Sequence, residues 1–131
     1  MANNYLQFSE AIYELNSEEK DWLENRLEQM ESEEDGVPFE YAFRNGLVNF
    51  FAEEYGDTYA LAELVQEFLA KFRPDKFFAI NYSETCSKMR VEEFSGGAVF
   101  VTAHSIEYCN PRQWLETKIS EAFAKNIKVP A

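Results

Sequence analysis

The feature that most constrains the fold is the dipeptide Asn45-Gly46, which lies between two apolar runs at residues 39–44 and 47–52. Asn-Gly accepts the positive φ angles of a type I′ turn, and a two-residue turn fixes which residues of two antiparallel strands face each other. A β-hairpin with one apolar face is therefore predicted. The pairs expected on that face are Phe43 with Val48, Tyr41 with Phe50, and Phe39 with Ala52.

Capping signals and apolar spacing predict three helices. Asn16 and Glu19 form a capping box that starts a helix ending near Glu31. A second helix, with apolar residues at intervals of three and four, begins after the hairpin and stops before Pro74. Asn110-Pro111 is an N-cap followed by a proline at the first helical position, which opens the third.

Four further strands are expected, at residues 5–12, 77–82, 98–103 and 106–109. A tight turn at His104-Ser105 is predicted to join the last two. It would align Val101 with Tyr108 and Ala103 with Ile106. The fold expected is α+β, with a largely antiparallel sheet of five to six strands and three helices packed mainly on one face.

Composition and charge limit the classes of function that this chain can have. The 131 residues, of which 46% are hydrophobic, suit a single domain spanning 1–131. A net charge of −12 disfavours direct binding of nucleic acid. One histidine and two cysteines cannot assemble a four-ligand zinc site, and no cofactor motif is present. With no membrane-spanning run and no signal-peptide pattern at the N-terminus, a cytoplasmic protein that does not enter a membrane is expected.

The first helix carries an acidic face. Residues 17–36 hold nine carboxylates against Lys20 and Arg26. Spacings of three and four place the carboxylates expected to bind a partner on one side: Asp21, Glu24, Glu28 and Glu31. Such a row could imitate the phosphates of DNA and occupy a basic groove, while the alternative is an ordinary solvated face.

A polar segment between the fourth and fifth strands, at residues 83–97, is the second candidate site. Nearby cations could lower the pKa of a cysteine thiol, and the Gly-Gly step could present N–H groups to an anion. The alternative is a structural connection, because no base is tied to the thiol by a recognisable spacing. The candidate residues are Thr85, Cys86, Ser87, Lys88, Arg90 and Glu93.

Several stretches carry a resemblance. Glu84-Thr85-Cys86-Ser87-Lys88 and the run from Glu93-Phe94 through Gly96-Gly97-Ala98-Val99 are the most specific, and residues 2–9 and 67–75 extend it over most of the chain. The chain resembles a family of small uncharacterised bacterial, phage and plasmid proteins. The family usually has a third glycine where this chain has Ser95, and an Asp-Gly turn in place of His104-Ser105. The resemblance implies a setting on mobile genetic elements and no assigned activity.

The function expected is therefore binding of another macromolecule, as an inhibitor or adaptor acting on a basic host protein through the acidic helix. The alternative is an enzyme or small-anion-binding protein centred on residues 85–97. A homodimer is the third possibility, because Leu47 and Phe51 lie on the hairpin face opposite the predicted core.

Overall fold

The computed structural model describes residues 3–91 and 93–130, and it shows an α+β fold. Over that part of the chain, three helices accompany one antiparallel sheet of six strands in the order β2-β3-β1-β4-β5-β6. The fold class is as predicted. The elements are β1 (Asn4–Ile12), α1 (Ser17–Glu31), β2 (Glu40–Arg44), β3 (Leu47–Ala52), α2 (Thr58–Phe72), β4 (Phe77–Cys86), β5 (Ser95–Thr102), β6 (Ile106–Cys109) and α3 (Pro111–Ala124).

The Asn-Gly hairpin is confirmed. Asn45 and Gly46 have φ angles of 50° and 76°, as a type I′ turn requires. Tyr41 pairs with Phe50 and Phe43 pairs with Val48, and both β3 residues are fully buried. The turn therefore sets the register that points β3 into the core.

Strand β1 joins the two halves of the sheet. Its first residues, from Asn4 to Gln7, pair with β4, and its later residues, from Phe8 to Ile12, pair with β3. Where the β1–β4 pairing ends, the Glu10 carboxylate accepts a hydrogen bond of 2.9 Å from the Asn81 N–H. The Glu10 side chain thus satisfies the Asn81 N–H, which in a continuous strand pairing would donate to a backbone oxygen of the neighbouring strand.

Helix α2 covers one face of the sheet and α1 packs beside it. The capping box is confirmed, since Glu19 N–H donates to Asn16 Oδ1 and Asn16 N–H donates to Glu19 Oε1. The other oxygen of the buried Glu19 carboxylate accepts from Arg73 Nε at 2.8 Å. The Arg73 guanidinium, at the end of α2, also donates to the backbone oxygens of Tyr13 and Glu14. One side chain thus connects the end of α2 to the start of α1.

The loop predicted within residues 83–97 is shorter in the structure than the sequence indicated. Strand β4 continues to Cys86 because residues 83–86 pair with β1, and β5 already begins at Ser95, which pairs with Glu84. The expected strand limits of 82 and 98 are therefore wrong, and the loop is confined to residues 87–94. Polar composition hid these strand ends, because alternate side chains at the end of β4 lie on the exposed face of the sheet.

The predicted register of the second hairpin is also wrong. Val101 pairs with Ile106 and Val99 pairs with Tyr108, a shift of two residues. His104 and Ser105 are not among the described residues with positive φ, so they do not form the two-residue turn that was expected. The Thr102 hydroxyl instead accepts from the N–H groups of both residues and closes a longer loop.

Helix α3 begins as predicted, with Asn110 as N-cap and Pro111 in the first turn. None of its residues is buried, and β5 is the only element it packs against within the described chain. No helix in residues 3–91 or 93–130 combines the length and apolar character needed to cross a membrane.

Candidate functional site

The four carboxylates predicted on α1 differ in their surroundings. Asp21 and Glu28 are exposed, and no ion pair involves either of them within the described residues. Glu24 is half-buried and lies 3.5 Å from Lys20 Nζ. Glu31 accepts a hydrogen bond of 2.6 Å from the Tyr41 hydroxyl. On this acidic face, Lys20 therefore compensates Glu24, while the other three carboxylates keep their charge without an ion pair among the described residues.

The Glu31–Tyr41 contact links α1 to the edge strand β2. The hydrogen bond to Glu31, with burial of the ring, raises the pKa of Tyr41 to about 12. The phenol thus remains a proton donor at every physiological pH. Since the donor holds Glu31 in place, the acidic face of α1 continues onto the surface around β2.

Around Glu40, at the start of β2, the fold gathers carboxylates that are distant in sequence. Three neighbouring depressions share Glu40 in their walls, with volumes of about 650, 520 and 440 Å³. We call their six carboxylates the acidic end. They are Glu31, Asp35, Glu40, Glu53, Glu54 and Asp57.

Within the described residues, the acidic end forms no ion pair with a Lys or Arg side chain. Each of the five ion pairs found in the described residues uses a carboxylate from elsewhere in the chain. Asp57 caps α2 by accepting through Oδ1 from the N–H groups of Tyr59 and Ala60, which does not neutralise its charge. Tyr55 lines two of the depressions, and 76% of its surface is exposed. The arrangement offers negative charge beside an accessible aromatic ring, a combination suited to Lys and Arg side chains.

The candidate residues of the polar segment do not form one exposed cluster. Cys86 is buried at the end of β4, 8% exposed, and Thr85 pairs with Tyr5 in the sheet. The Ser87 hydroxyl accepts from the Asn3 N–H, which ties the loop to β1. No hydrogen bond joins the Cys86 thiol to a carboxylate or to an imidazole in the part of the chain described.

The charged residues of the same segment lie further along the loop. Lys88 and Arg90 are exposed and form no ion pair with the described carboxylates, while Glu93 is half-buried. The loop thus offers two cations to solvent, with the thiol packed beneath.

A further depression of about 650 Å³ lies on the open face of the sheet, the face opposite α2. Gln7, Ser9 and Asn49 line it, with Arg44 at one side and Phe51 beside them. Asn49 Nδ2 donates to Ser9 Oγ and to the backbone oxygen of Glu10 at 3.1 Å each. Its amide hydrogens are therefore already used within the sheet.

The comparisons leave the identity of the chain open. No family model, curated protein or solved structure matches it. The resemblance to small proteins of mobile elements stays a prediction. No group of three or more His, Cys, Asp or Glu side chains able to hold a metal ion occurs among the described residues.

The sequence indicated the acidic face of α1 but not the acidic end. Glu40, Glu53 and Glu54 come from β2 and from the turn after β3, and they meet because the hairpin places the start of β2 beside the end of β3. Glu40 pairs with Phe51, and Glu53 follows Phe51 by two residues.

Proposed function

We propose that the protein binds a basic region of another protein, in the cytoplasm, through one acidic surface. This surface consists of the acidic face of α1 and the acidic end, which share Glu31. The observation that carries the proposal is that five carboxylates from separate segments surround that of Glu40, and none of the six has a Lys or Arg partner among the described residues.

Charge placed in this way destabilises the folded chain through self-repulsion. Solubility alone is served equally well by carboxylates spread over the whole surface. Their concentration at one end, beside the exposed ring of Tyr55, favours recognition of a partner that supplies several cations at once. In the setting implied by the resemblance, such a partner would be a basic host protein whose groove is occupied by an inhibitor or adaptor.

The test is capture of partners from a bacterial lysate at low and at physiological salt, using two variants of equal charge. The first replaces Glu40, Glu53 and Glu54 by glutamine and so neutralises the acidic end. The control replaces exposed carboxylates elsewhere, at Glu63, Asp75 and Glu116. Both variants lose three negative charges, so general electrostatic attraction falls equally in both.

We expect a captured basic protein to be lost with the first variant and retained with the control. Binding should also weaken as salt shortens the Debye length to about 8 Å at physiological ionic strength. Equal loss with both variants would show attraction by net charge alone, and salt-independent capture would exclude the acidic surface as the binding site.

A second candidate, binding of a small anion at the loop of residues 87–94, is favoured by one observation. Lys88 and Arg90 are exposed and without ion pairs among the described residues of an acidic protein. Phosphate should then raise the melting temperature of the wild type and leave that of the Lys88→Ala, Arg90→Ala variant unchanged. No shift with the wild type would remove this candidate.

A further inference from the structure

Helix α3 exposes a large apolar surface that the described residues of its own chain cover only in part. Trp114, Leu115, Ile119 and Phe123 are 51–60% exposed. Intervals of four residues from Leu115 to Phe123 place the last three along one side of the helix. Ile127 and Val129, 59% and 73% exposed, extend the apolar surface beyond the end of α3. A half-exposed apolar surface of this extent marks an interaction site.

The charge of the same segment identifies the kind of surface that it fits. Residues 111–131 carry four cations and two carboxylates in a chain of net charge −12. Lys118 Nζ lies 5.8 Å from the centre of the Trp114 ring and 3.5 Å from the Glu121 carboxylate. Lys125 and Lys128 follow without an ion pair among the described carboxylates, so the segment that bears the apolar face keeps a net positive charge. A complementary surface would be apolar and bordered by carboxylates.

Such a surface exists on the open face of the sheet. The rings of Phe77 and Phe100 stack with centres 5.2 Å apart and are 65% and 41% exposed. Phe100 pairs with Ala79 on one side and with the exposed Glu107 on the other, so all four residues share this face. We call Phe77, Ala79, Phe100 and Glu107 the aromatic strip.

We infer that the protein forms a two-fold symmetric dimer in which α3 of each copy packs on the aromatic strip of the other. In this arrangement each copy contributes one apolar helix and one apolar strip, as an isologous interface requires. The cations bordering α3 would face Glu107 of the second copy.

The available area agrees with a dimer. The exposed parts of Trp114, Phe123, Phe77 and Phe100 amount to roughly 450 Å² at about 200 Å² per ring. The aliphatic residues of α3 and the tail add on the order of 200 Å². With the aliphatic stems of the neighbouring lysines added, the apolar area of each copy approaches the value of about 800 Å² that one partner buries in a stable interface.

Packing of α3 against α3 of another copy would leave out the aromatic strip, about a third of this area, and would bring the Lys118 and Lys125 side chains of two copies together. Docking on an anionic membrane would bring the many carboxylates of the remaining chain towards the same charge. A second copy that offers the aromatic strip avoids both costs.

The experiment measures mass by light scattering at about 100 μM, a concentration suited to interfaces of micromolar affinity or better. The helix variant carries Leu115→Gln, Ile119→Gln and Phe123→Gln, and the strip variant carries Phe77→Thr and Phe100→Thr. A control removes two apolar residues of the loop that are more exposed than any of these, Met89→Gln and Val91→Thr, at 91% and 89%. Circular dichroism verifies folding, which the helix variant should retain because α3 has no buried residue.

We expect wild type and control at twice the monomer mass of 15.3 kDa, and both the helix and the strip variants as monomers. A mixture of the helix variant with the strip variant should recover part of the dimer, because one intact helix and one intact strip remain. A dimeric strip variant would show that α3 packs elsewhere and would refute the proposal. A monomeric wild type would also refute the proposal. This holds even if the monomer binds phosphatidylglycerol vesicles through α3. These measurements use purified protein alone, so their outcome is independent of the acidic surface.

Discussion

Replacement of Arg73 by methionine should lower the free energy of unfolding by about 3 kcal/mol. Arg73 donates two hydrogen bonds to the Glu19 carboxylate, at 2.8 and 3.2 Å, and two to backbone oxygens of the β1–α1 connection. Loss of one partner from a buried ion pair costs about 3–5 kcal/mol because the other charge remains buried. The Arg73 side chain is 25% exposed, so water reaches the pair and the lower end of that range applies.

Unfolding in urea and thermal unfolding both measure this loss. A chain of this length unfolds with an entropy near 0.28 kcal/mol per kelvin, so about 3 kcal/mol lowers the melting temperature by about 10 °C. The matched control is Arg26→Met, which removes an ion pair with Glu67 of similar length, 3.1 Å, but with side chains 32% and 50% exposed. An exposed pair of this kind contributes about 0–1 kcal/mol.

The effect should depend on pH with a defined sign. The hydrogen bond from Arg73 lowers the pKa of the Glu19 carboxyl, against the opposing effect of burial. A lowered pKa in the folded state stabilises the protein above the ordinary carboxyl pKa, and this stabilisation is lost as pH falls through the lowered value. The difference between wild type and Arg73→Met should therefore shrink below about pH 4. Equal losses for the Arg73 and Arg26 variants, or a difference independent of pH, would refute the reasoning.

Three further predictions concern single side chains. Alkaline absorbance titration should show one phenol with a pKa of about 12, absent in Tyr41→Phe, because Glu31 accepts its proton; a titration unchanged by the substitution would contradict that contact. A thiol reagent at neutral pH should label the exposed Cys109 quickly and the buried Cys86 only after local opening, and rapid labelling of Cys86 would instead support chemistry at the loop. Gly46→Ala should cost about 1–2 kcal/mol in urea unfolding, because φ is +76° and a Cβ is strained there although no atom lies within 4 Å; an unchanged midpoint would contradict the turn assignment.

Local signals predicted those parts of the fold whose determinants lie close in sequence. Asn16 and Glu19 cap α1 because their side chains and backbone groups are three residues apart, and Asn45-Gly46 fixes its hairpin by backbone preference alone. The end of β4 at Cys86 was missed because polar strand residues become recognisable only once β1 is known to lie beside them.

The same difference between local and long-range determinants explains which part of the candidate site the sequence predicted. The acidic face of α1 follows from spacing along one helix. The acidic end requires knowledge that α1, β2 and the start of α2 meet around Glu40. The register predicted for the second hairpin was wrong for a chemical reason. Its turn is determined by hydrogen bonds to the Thr102 hydroxyl rather than by the backbone preference of a glycine.

The position of β1 has a consequence for folding kinetics. The β2–β3 hairpin and the β4–β5–β6 meander are each formed by neighbours in sequence, so each can assemble from local contacts. Strand β1 precedes both units in the chain and lies between them, so the sheet becomes continuous only after Asn4 has found Cys86, across most of the sequence. Closing such long loops slows folding, and until it happens two strand edges stay unpaired. The step at which β1 joins the two units is therefore the period in which this chain is most exposed to aggregation and to capture by chaperones.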